Sequence, residues 1–245
     1  MVKDCMRSKI HLGLTSSGRL RHRIASWIYL AFSCGLLLAS YPPETARAQD
    51  VQQLARSVDD HYNHLRTLQA DFTEIYQGNG MVREESGTLW LKKPRKMRWE
   101  YRSPKEKLFL SDGKAVWFYL PEERQLRKSD LKKLDDLRSP LAFLLGKTKL
   151  ANELQGLSKT NGDLPLEAGN VVLRGVPKAL AETISEVKLE ITPRFQIVRI
   201  TLMGVDGATT EFRFSDLRED VPVADSRFNF VPPPGIEIVE GDIAQ

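Results

Sequence analysis

The sequence predicts a mainly β (α+β) protein: one antiparallel meander with a small amount of helix laid against it. Three observations lead there. Short runs rich in Val, Ile, Trp, Phe and Tyr recur through most of the chain, a composition that fits a pleated, half-buried surface. Asn-Gly or Asp-Gly pairs at 79–80, 112–113, 161–162 and 206–207 punctuate these runs, and such pairs are strong hairpin signals. Helical spacing of apolar residues is confined to one early segment and one insert near the middle.

Residues 1–48 stand apart. Arg19, Arg21 and Arg23 precede the apolar run Ile24–Leu38, and Ala46-Arg47-Ala48 is a small-x-small cleavage pattern. This reads as a secretory signal removed after Ala48, leaving one domain over 49–245. The apolar run is 15 residues long, whereas a membrane-spanning helix needs about 20. Lipid attachment at Cys34 would leave Gly-Leu-Leu-Leu-Ala on the mature end, which speaks against it. Both cysteines, Cys5 and Cys34, lie in this segment, so the mature chain has neither disulfide nor thiol chemistry. The net charge of +4 is also local. Seven of the 36 Lys/Arg and two of the 32 Asp/Glu fall in residues 1–48, and the remainder sits at −1. A chain this close to neutral gives no reason to expect nucleic acid as a partner.

The mature chain opens with a helix over Asp50–Leu65. Val51, Leu54, Ala55, Val58, Tyr62 and Leu65 share one face, and Asp50 is a candidate N-cap. Leu68–Tyr76 is a strand with Leu68, Ala70, Phe72 and Tyr76 on one side, interrupted by Glu74. Asn79-Gly80 turns it into a strand over Gly87–Lys93, which Pro94 ends for want of an N–H. Next, Met97, Trp99 and Tyr101 alternate with Arg98, Glu100 and Arg102, the period-two pattern of a sheet with one wet face. Beyond Asp112-Gly113, Val116 and Phe118 oppose Trp117 and Tyr119, so both faces there are apolar and need cover or a ligand. Arg124–Lys128 reads as a short polar edge strand.

Ser129 is a candidate cap for a helix over Asp130–Leu137, and Ser139-Pro140 for a second short helix carrying Leu141, Phe143, Leu144 and Leu145 up to Gly146. Strands then resume at Leu154–Thr160 and Val171–Leu173. Val187, Leu189 and Ile191 alternate with Lys188 and Glu190. Val198, Ile200 and Leu202 alternate with Ile197, Arg199 and Thr201, and Thr210, Phe212 and Phe214 with Glu211 and Arg213. The tail from Phe228 to Gly235 packs two aromatics and then leaves the sheet.

Catalytic signals are weak. The chain has no Gly-x-Ser-x-Gly elbow, Walker loop or Gly-x-Gly-x-x-Gly. His61 and His64 could share a helix face, but two ligands do not make a zinc site. Glu84-Glu85 and Asp135-Asp136 read as solvated charges. No metal and no cofactor is expected. What remains is an aromatic and aliphatic excess on one sheet face, which fits an ordinary core and an apolar ligand pocket equally well.

The spaced motifs Gly87-x-Leu89-Trp90-Leu91-Lys92-Lys93-Pro94 with Trp99, Ser111-Asp112-Gly113-Lys114-x-x-Trp117-Phe118-Tyr119, Ser139-Pro140 and Phe228-x-Phe230-x-Pro232-Pro233-x-Gly235 resemble the LolA family, periplasmic carriers of outer-membrane lipoproteins. The resemblance runs from about Asp50 to Gly235. It implies a curved antiparallel sheet forming an incomplete barrel under a short helical lid, with acyl chains held between them. An inner-membrane ABC-type complex would load the carrier, and an outer-membrane receptor would unload it. The implied lipid cavity is lined by Phe72, Met97, Trp99, Tyr101, Val116 and Phe118. The implied lid comprises Val58, Tyr62, Leu141, Phe143, Leu144 and Leu145. Family members often carry Arg as a lid latch where this chain has Lys93, a point charge with three donors rather than a planar fork. Its expected acceptors are the carbonyls near Leu144 and Leu145. Met97 stands where the family often has Phe. Two other readings are a periplasmic lipid-binding or lipid-sensing module of the same fold without a transfer role, and an acyl hydrolase, for which the nucleophile–base pattern is missing.

The sequence therefore predicts a monomeric periplasmic protein whose mature chain starts at Gln49. N-terminal sequencing of the protein purified from its native cell should find Gln49; finding Met1 or a lipidated Cys34 would reject the cleavage.

Overall fold

The computed structural model describes residues 44–130, 144, 149–160 and 162–240. Thr45–Gln245 forms one compact unit. It contains a long helix α1 (Glu44–His64) and strands β1 (Thr67–Gly78), β2 (Met81–Lys92), β3 (Lys96–Ser103), β4 (Lys107–Asp112), β5 (Ala115–Leu120) and β6 (Gln125–Asp130). A one-turn helix α2 (Leu150–Glu153) precedes β7 (Leu154–Lys159), β8 (Val171–Pro177), β9 (Ile184–Ile191), β10 (Ile197–Gly204), β11 (Thr209–Glu219) and β12 (Glu237–Glu240).

The strands make one open sheet in the order β12-β6-β5-β4-β3-β2-β1-β11-β10-β9-β8-β7. Two meanders, β1–β6 and β7–β11, join where β1 pairs antiparallel with β11, Leu68 opposite Glu219 and Gln77 opposite Thr209. The mainly β, antiparallel, non-closed architecture is the expected fold class.

Curvature follows from the core that α1 shares with the sheet. Val51, Ala55, Val58 and Tyr62 share one buried cluster with residues of β1, β2, β3 and β7–β11, eight adjacent strands. Laid flat, eight strands would span roughly 34 Å. From Val51 to Leu65 a helix advances only about 21 Å. The sheet reaches the helix from both sides by curling around it, which defines a concave face.

The convex face is not left to water. A strap over 221–230 crosses β2–β5, with Trp90, Val223 and Phe228 forming a second buried cluster. Phe230 lies 6.3 Å from the Trp117 ring and 5.4 Å from Tyr119. The Arg227 guanidinium stacks 4.3 Å above Trp90. Lys92 and Lys96 reach Asp225 at 3.0 and 2.9 Å and hold its carboxyl below the usual range. This strap is the cover that a doubly apolar β5 requires.

Several boundaries differ from the sequence expectation. α1 begins at Glu44, so Asp50 lies inside it rather than capping it, and its carboxylate pairs with Lys159. Glu44–Gln49 holds neither Gly nor Pro and is mostly good helix formers, so nothing stops the helix at Asp50. β2 begins at Met81, not Gly87. Asn79 and Gly80, both at positive φ, make a two-residue turn that starts pairing at Gly78 and Met81. β6 is not an edge, because β12 adds to it in parallel. The tail thus returns to the sheet instead of leaving it. Ser129 and Asp130 end β6 rather than starting a helix; the two short helices placed over 130–146 otherwise lie outside the described residues, apart from Leu144. In β10 a register shift between Ile197 and Arg199 turns Ile197, not Val198, inward beside Ile200.

Gly87 is required by close approach. A Cβ there would sit 1.9 Å from the Glu100 carbonyl oxygen on β3. Gly87→Ala should therefore lower stability by about 1–3 kcal/mol, read as a fall in the urea midpoint with an unchanged slope.

Candidate functional site

Strand register assembles the concave face. Trp99 pairs with Leu89 on one side and Phe109 on the other, and Phe109 pairs with Phe118. One rung along, Leu91, Met97, Ser111 and Val116 are opposed in turn. Directly opposed residues share a face, so the six residues expected to line a cavity fall on one side. Phe72 and Tyr101 both oppose Gly87. With no side chain between them, their rings meet edge-on at 4.8 Å. Phe72 also lies 4.6 Å from Trp99. Phe212 and Phe214 of β11 complete an aromatic cluster at 5.8 and 6.2 Å from Trp99. Met97 and Trp99 are each 1% exposed and Phe72 is 2%; Val116 is buried, while Tyr101 and Phe118 are half-buried.

α1 closes this face. Val58 and Tyr62 are buried in the shared core, and so is Leu144, which is helical. Leu141, Phe143 and Leu145 lie outside the described residues. The Tyr62 hydroxyl accepts the Ile197 N–H at 2.9 Å, and full burial pushes the phenol pKa far up. Asp59 accepts the Leu150 N–H at 3.1 Å, pinning α2 to α1, and burial raises its carboxyl pKa.

Lys93 stands at the C-terminal end of α1. Its ammonium donates to the Tyr62 carbonyl and, at 3.0 Å, to the Asn63 carbonyl. These are among the last carbonyls of the helix, which lack intrahelical partners and carry partial negative charge. The observed anchor is therefore α1. The sequence reading placed it near Leu144 and Leu145, of which Leu145 is outside the described residues. Leu144 is nonetheless close: a cleft of about 10 Å³, room for roughly one water, is lined by Leu65, Arg66, Thr67, Leu68, Leu91, Lys93 and Leu144. Burial lowers the Lys93 pKa, against the opposing pull of Asp220.

At its other end the concave face turns polar. Tyr101 donates to Glu74 at 2.7 Å. Glu85, directly opposite Glu74, is only 5% exposed and pairs with Lys107 at 2.5 Å. The Lys107 ammonium also sits 4.8 Å above the Tyr101 ring. Burial raises the Glu74 pKa, and the Glu85 charge adds to the rise. Glu85 is thus no solvated charge. The early start of β2 puts it in phase with Gly87, Leu89 and Leu91 on the inner face.

The two helix histidines do not converge. His61 Nε2 lies 2.9 Å from Glu219, while His64 Nδ1 lies 2.6 Å from the Asp60 carbonyl. Among the described residues no group of three or more potential ligands could hold a metal ion.

A family model described as outer membrane lipoprotein carrier protein LolA matches residues 63–231. The chain belongs to the LolA family. A protein of Chromobacterium violaceum named outer-membrane lipoprotein carrier protein is 32% identical over 203 residues, 80% of this chain and 90% of that one. A Salmonella paratyphi A protein of the same name is 28% identical, with 85% of this chain and 96% of that one covered. In fold the chain is similar to an uncharacterized conserved protein from Thermus thermophilus, with a TM-score of 0.52 at 15% identity over 78% of this chain and 99% of that one. LolA proteins are carriers rather than enzymes, in line with the absence of a catalytic pattern from the sequence.

Two features of this LolA chain were not singled out from sequence. Phe212 and Phe214 alternate visibly, but only the β1–β11 pairing carries them to Trp99. The Glu74, Tyr101, Glu85 and Lys107 cluster needed the true start of β2.

Replacing the Lys93 ammonium should loosen the end of α1. For Lys93→Leu we expect amide exchange over Tyr62–Leu65 to quicken about two- to fivefold, the loss of one cation at a helix C-terminus; hydrogen exchange read by mass spectrometry or NMR checks it. Glu74 gives a pH signature. Its folded-state pKa is raised, so its contribution to stability is full in acid and is lost as pH rises through that value. Glu74→Gln should therefore be more stable than wild type at pH 8, with the difference shrinking as pH falls toward the ordinary carboxyl range. Urea midpoints at several pH values test this.

Proposed function

We propose that the protein is a periplasmic carrier that takes lipoproteins released from the inner membrane, shields their acyl chains on the concave face and delivers them to an outer-membrane receptor. The observation that carries this reading is the closure of an aromatic-lined face by a helix whose end is held by one ammonium. Names of relatives over most of the chain support the same reading, and the signal-like residues 1–48 fit it.

Reversibility is the physical problem for such a carrier. Burying an acyl chain gains about 0.8 kcal/mol per CH₂, so a dozen methylenes gain about 10 kcal/mol. A permanently open trough would not let go. Here the binding face already buries itself, with Met97, Trp99 and Phe72 almost fully covered. Admitting cargo must uncover that surface, which offsets much of the gain. Lys93 then adds a small polar term to the closed state.

The test uses inner-membrane vesicles bearing the release complex. The purified mature protein should bring a lipoprotein into the soluble fraction and pass it to acceptor membranes containing the receptor. Lys93→Leu, with its weakened closure, should load at least as well and hand over several-fold more slowly. Failure of the wild type to solubilise any lipoprotein would reject the carrier role. Loading without any handover would favour the sensing module.

A further inference from the structure

We infer that the Trp99 indole N–H is a ligand-recognising donor, which bonds the carbonyl oxygen of an acyl group rather than merely lining a greasy wall. The inference rests on the carrier reading and goes beyond it by naming the polar atom that reads the cargo.

Three buried side-chain polar atoms find no hydrogen-bond partner among the described residues: Trp99 Nε1, Ser129 Oγ and Glu190 Oε2. Glu190 is on the convex side, and its Oε2 has an ionic neighbour in Arg199 Nη2 at 2.6 Å. The other two lie on the concave face. Ser129 opposes Val116, on the rung that holds Met97. Trp99 is 1% exposed at the centre of the aromatic cluster.

A buried indole normally finds an acceptor, because an unpaired donor there keeps the full cost of its desolvation. Among the described residues none is supplied around Trp99: Phe72, Phe212 and Phe214 are apolar, and the Tyr101 hydroxyl is committed to Glu74. Phe at this position would fill an aromatic cluster without that cost. A donor left unpaired where cargo is proposed to lie is therefore matched to an acceptor that cargo brings. Every acyl chain carries one: the carbonyl through which it is esterified or amide-linked. Pairing it with Trp99 would fix how deep a chain sits, since only the chain end attached to the lipoprotein has an oxygen. It would also discriminate acyl chains from plain hydrocarbon.

The probes are two synthetic lipopeptides with an S-glycerylcysteine end that carries two hydrocarbon chains of equal length on its glyceryl oxygens, diacyl (ester-linked) in one and dialkyl (ether-linked) in the other. Wild type should bind the ester form about five- to tenfold more tightly than the ether form, the scale of pairing an otherwise unpaired buried donor. In Trp99→Phe that ratio should fall toward one. A second measurement needs no variant. In the wild-type ¹H–¹⁵N spectrum the Trp99 indole resonance should move downfield with the ester lipopeptide and much less with the ether. An equal ratio in wild type and Trp99→Phe, or an indole resonance that responds alike to both probes, overturns the inference while leaving the carrier reading intact. If neither lipopeptide binds wild type, the carrier reading falls and this inference with it.

Discussion

The whole structure depends on one apolar contact, the burial of α1 in the hollow of the sheet. A twelve-stranded sheet has two faces to satisfy and, unclosed, two edges as well. Because α1 shares one buried core with residues from eight strands, it acts as the mandrel around which the sheet is curved. Tyr62 illustrates the coupling. Its ring fills the core, its hydroxyl receives the Ile197 N–H, and its carbonyl receives Lys93. One residue thus joins the helix to strand β10 and to the β2–β3 turn.

The two faces are covered by different means, and the difference matters for function. The convex strap is held by direct polar ties from several strands: Thr67 and Lys92 bond the Val221 and Val223 carbonyls at 2.6 and 2.7 Å, and Lys96 pairs with Asp225. Among the described residues the concave cover combines apolar area with polar ties along α1, from Asp50–Lys159 through Asp59–Leu150 to Tyr62–Ile197 and Lys93. Apolar contact is non-directional and can be exchanged for another apolar partner at little cost. The strap closes its face with bonds to backbone carbonyls of an extended segment, whereas α1 closes the other mainly through one buried apolar stripe.

Much of this was legible in the sequence. Period-two patterns placed Met97, Trp99, Tyr101 and Phe72 correctly because each strand has one clearly wet face. Asp112-Gly113 and Asn79-Gly80 marked real turns. The failures have separate causes. Arg83, Glu84, Glu85 and Ser86 look like loop, yet they are strand, because pairing continues from the turn irrespective of polarity. The acceptors of Lys93 could not be read because sequence spacing does not say which helix end approaches a given turn. The bulge at Val198 was hidden because Ile197, Val198 and Ile200 are equally apolar. Phe212 and Phe214 became neighbours of Trp99 only through a pairing between the two ends of the chain.

That pairing also bears on how the chain comes to be folded. Within each meander, every strand pairs with the next one in sequence, across connections no longer than the 160–170 loop between β7 and β8. The seam between the meanders does not: Leu68 meets Glu219 and Phe72 meets Phe214. Loop-closure entropy over that separation must be overcome before the seam gains anything, and contacts of this kind set slow folding rates. A chain that appears N-terminus first presents β1 with one bare edge until β11 arrives. Its greasy inner side is then open to any apolar surface nearby. For a protein that would itself shield others, the vulnerable interval is its own birth.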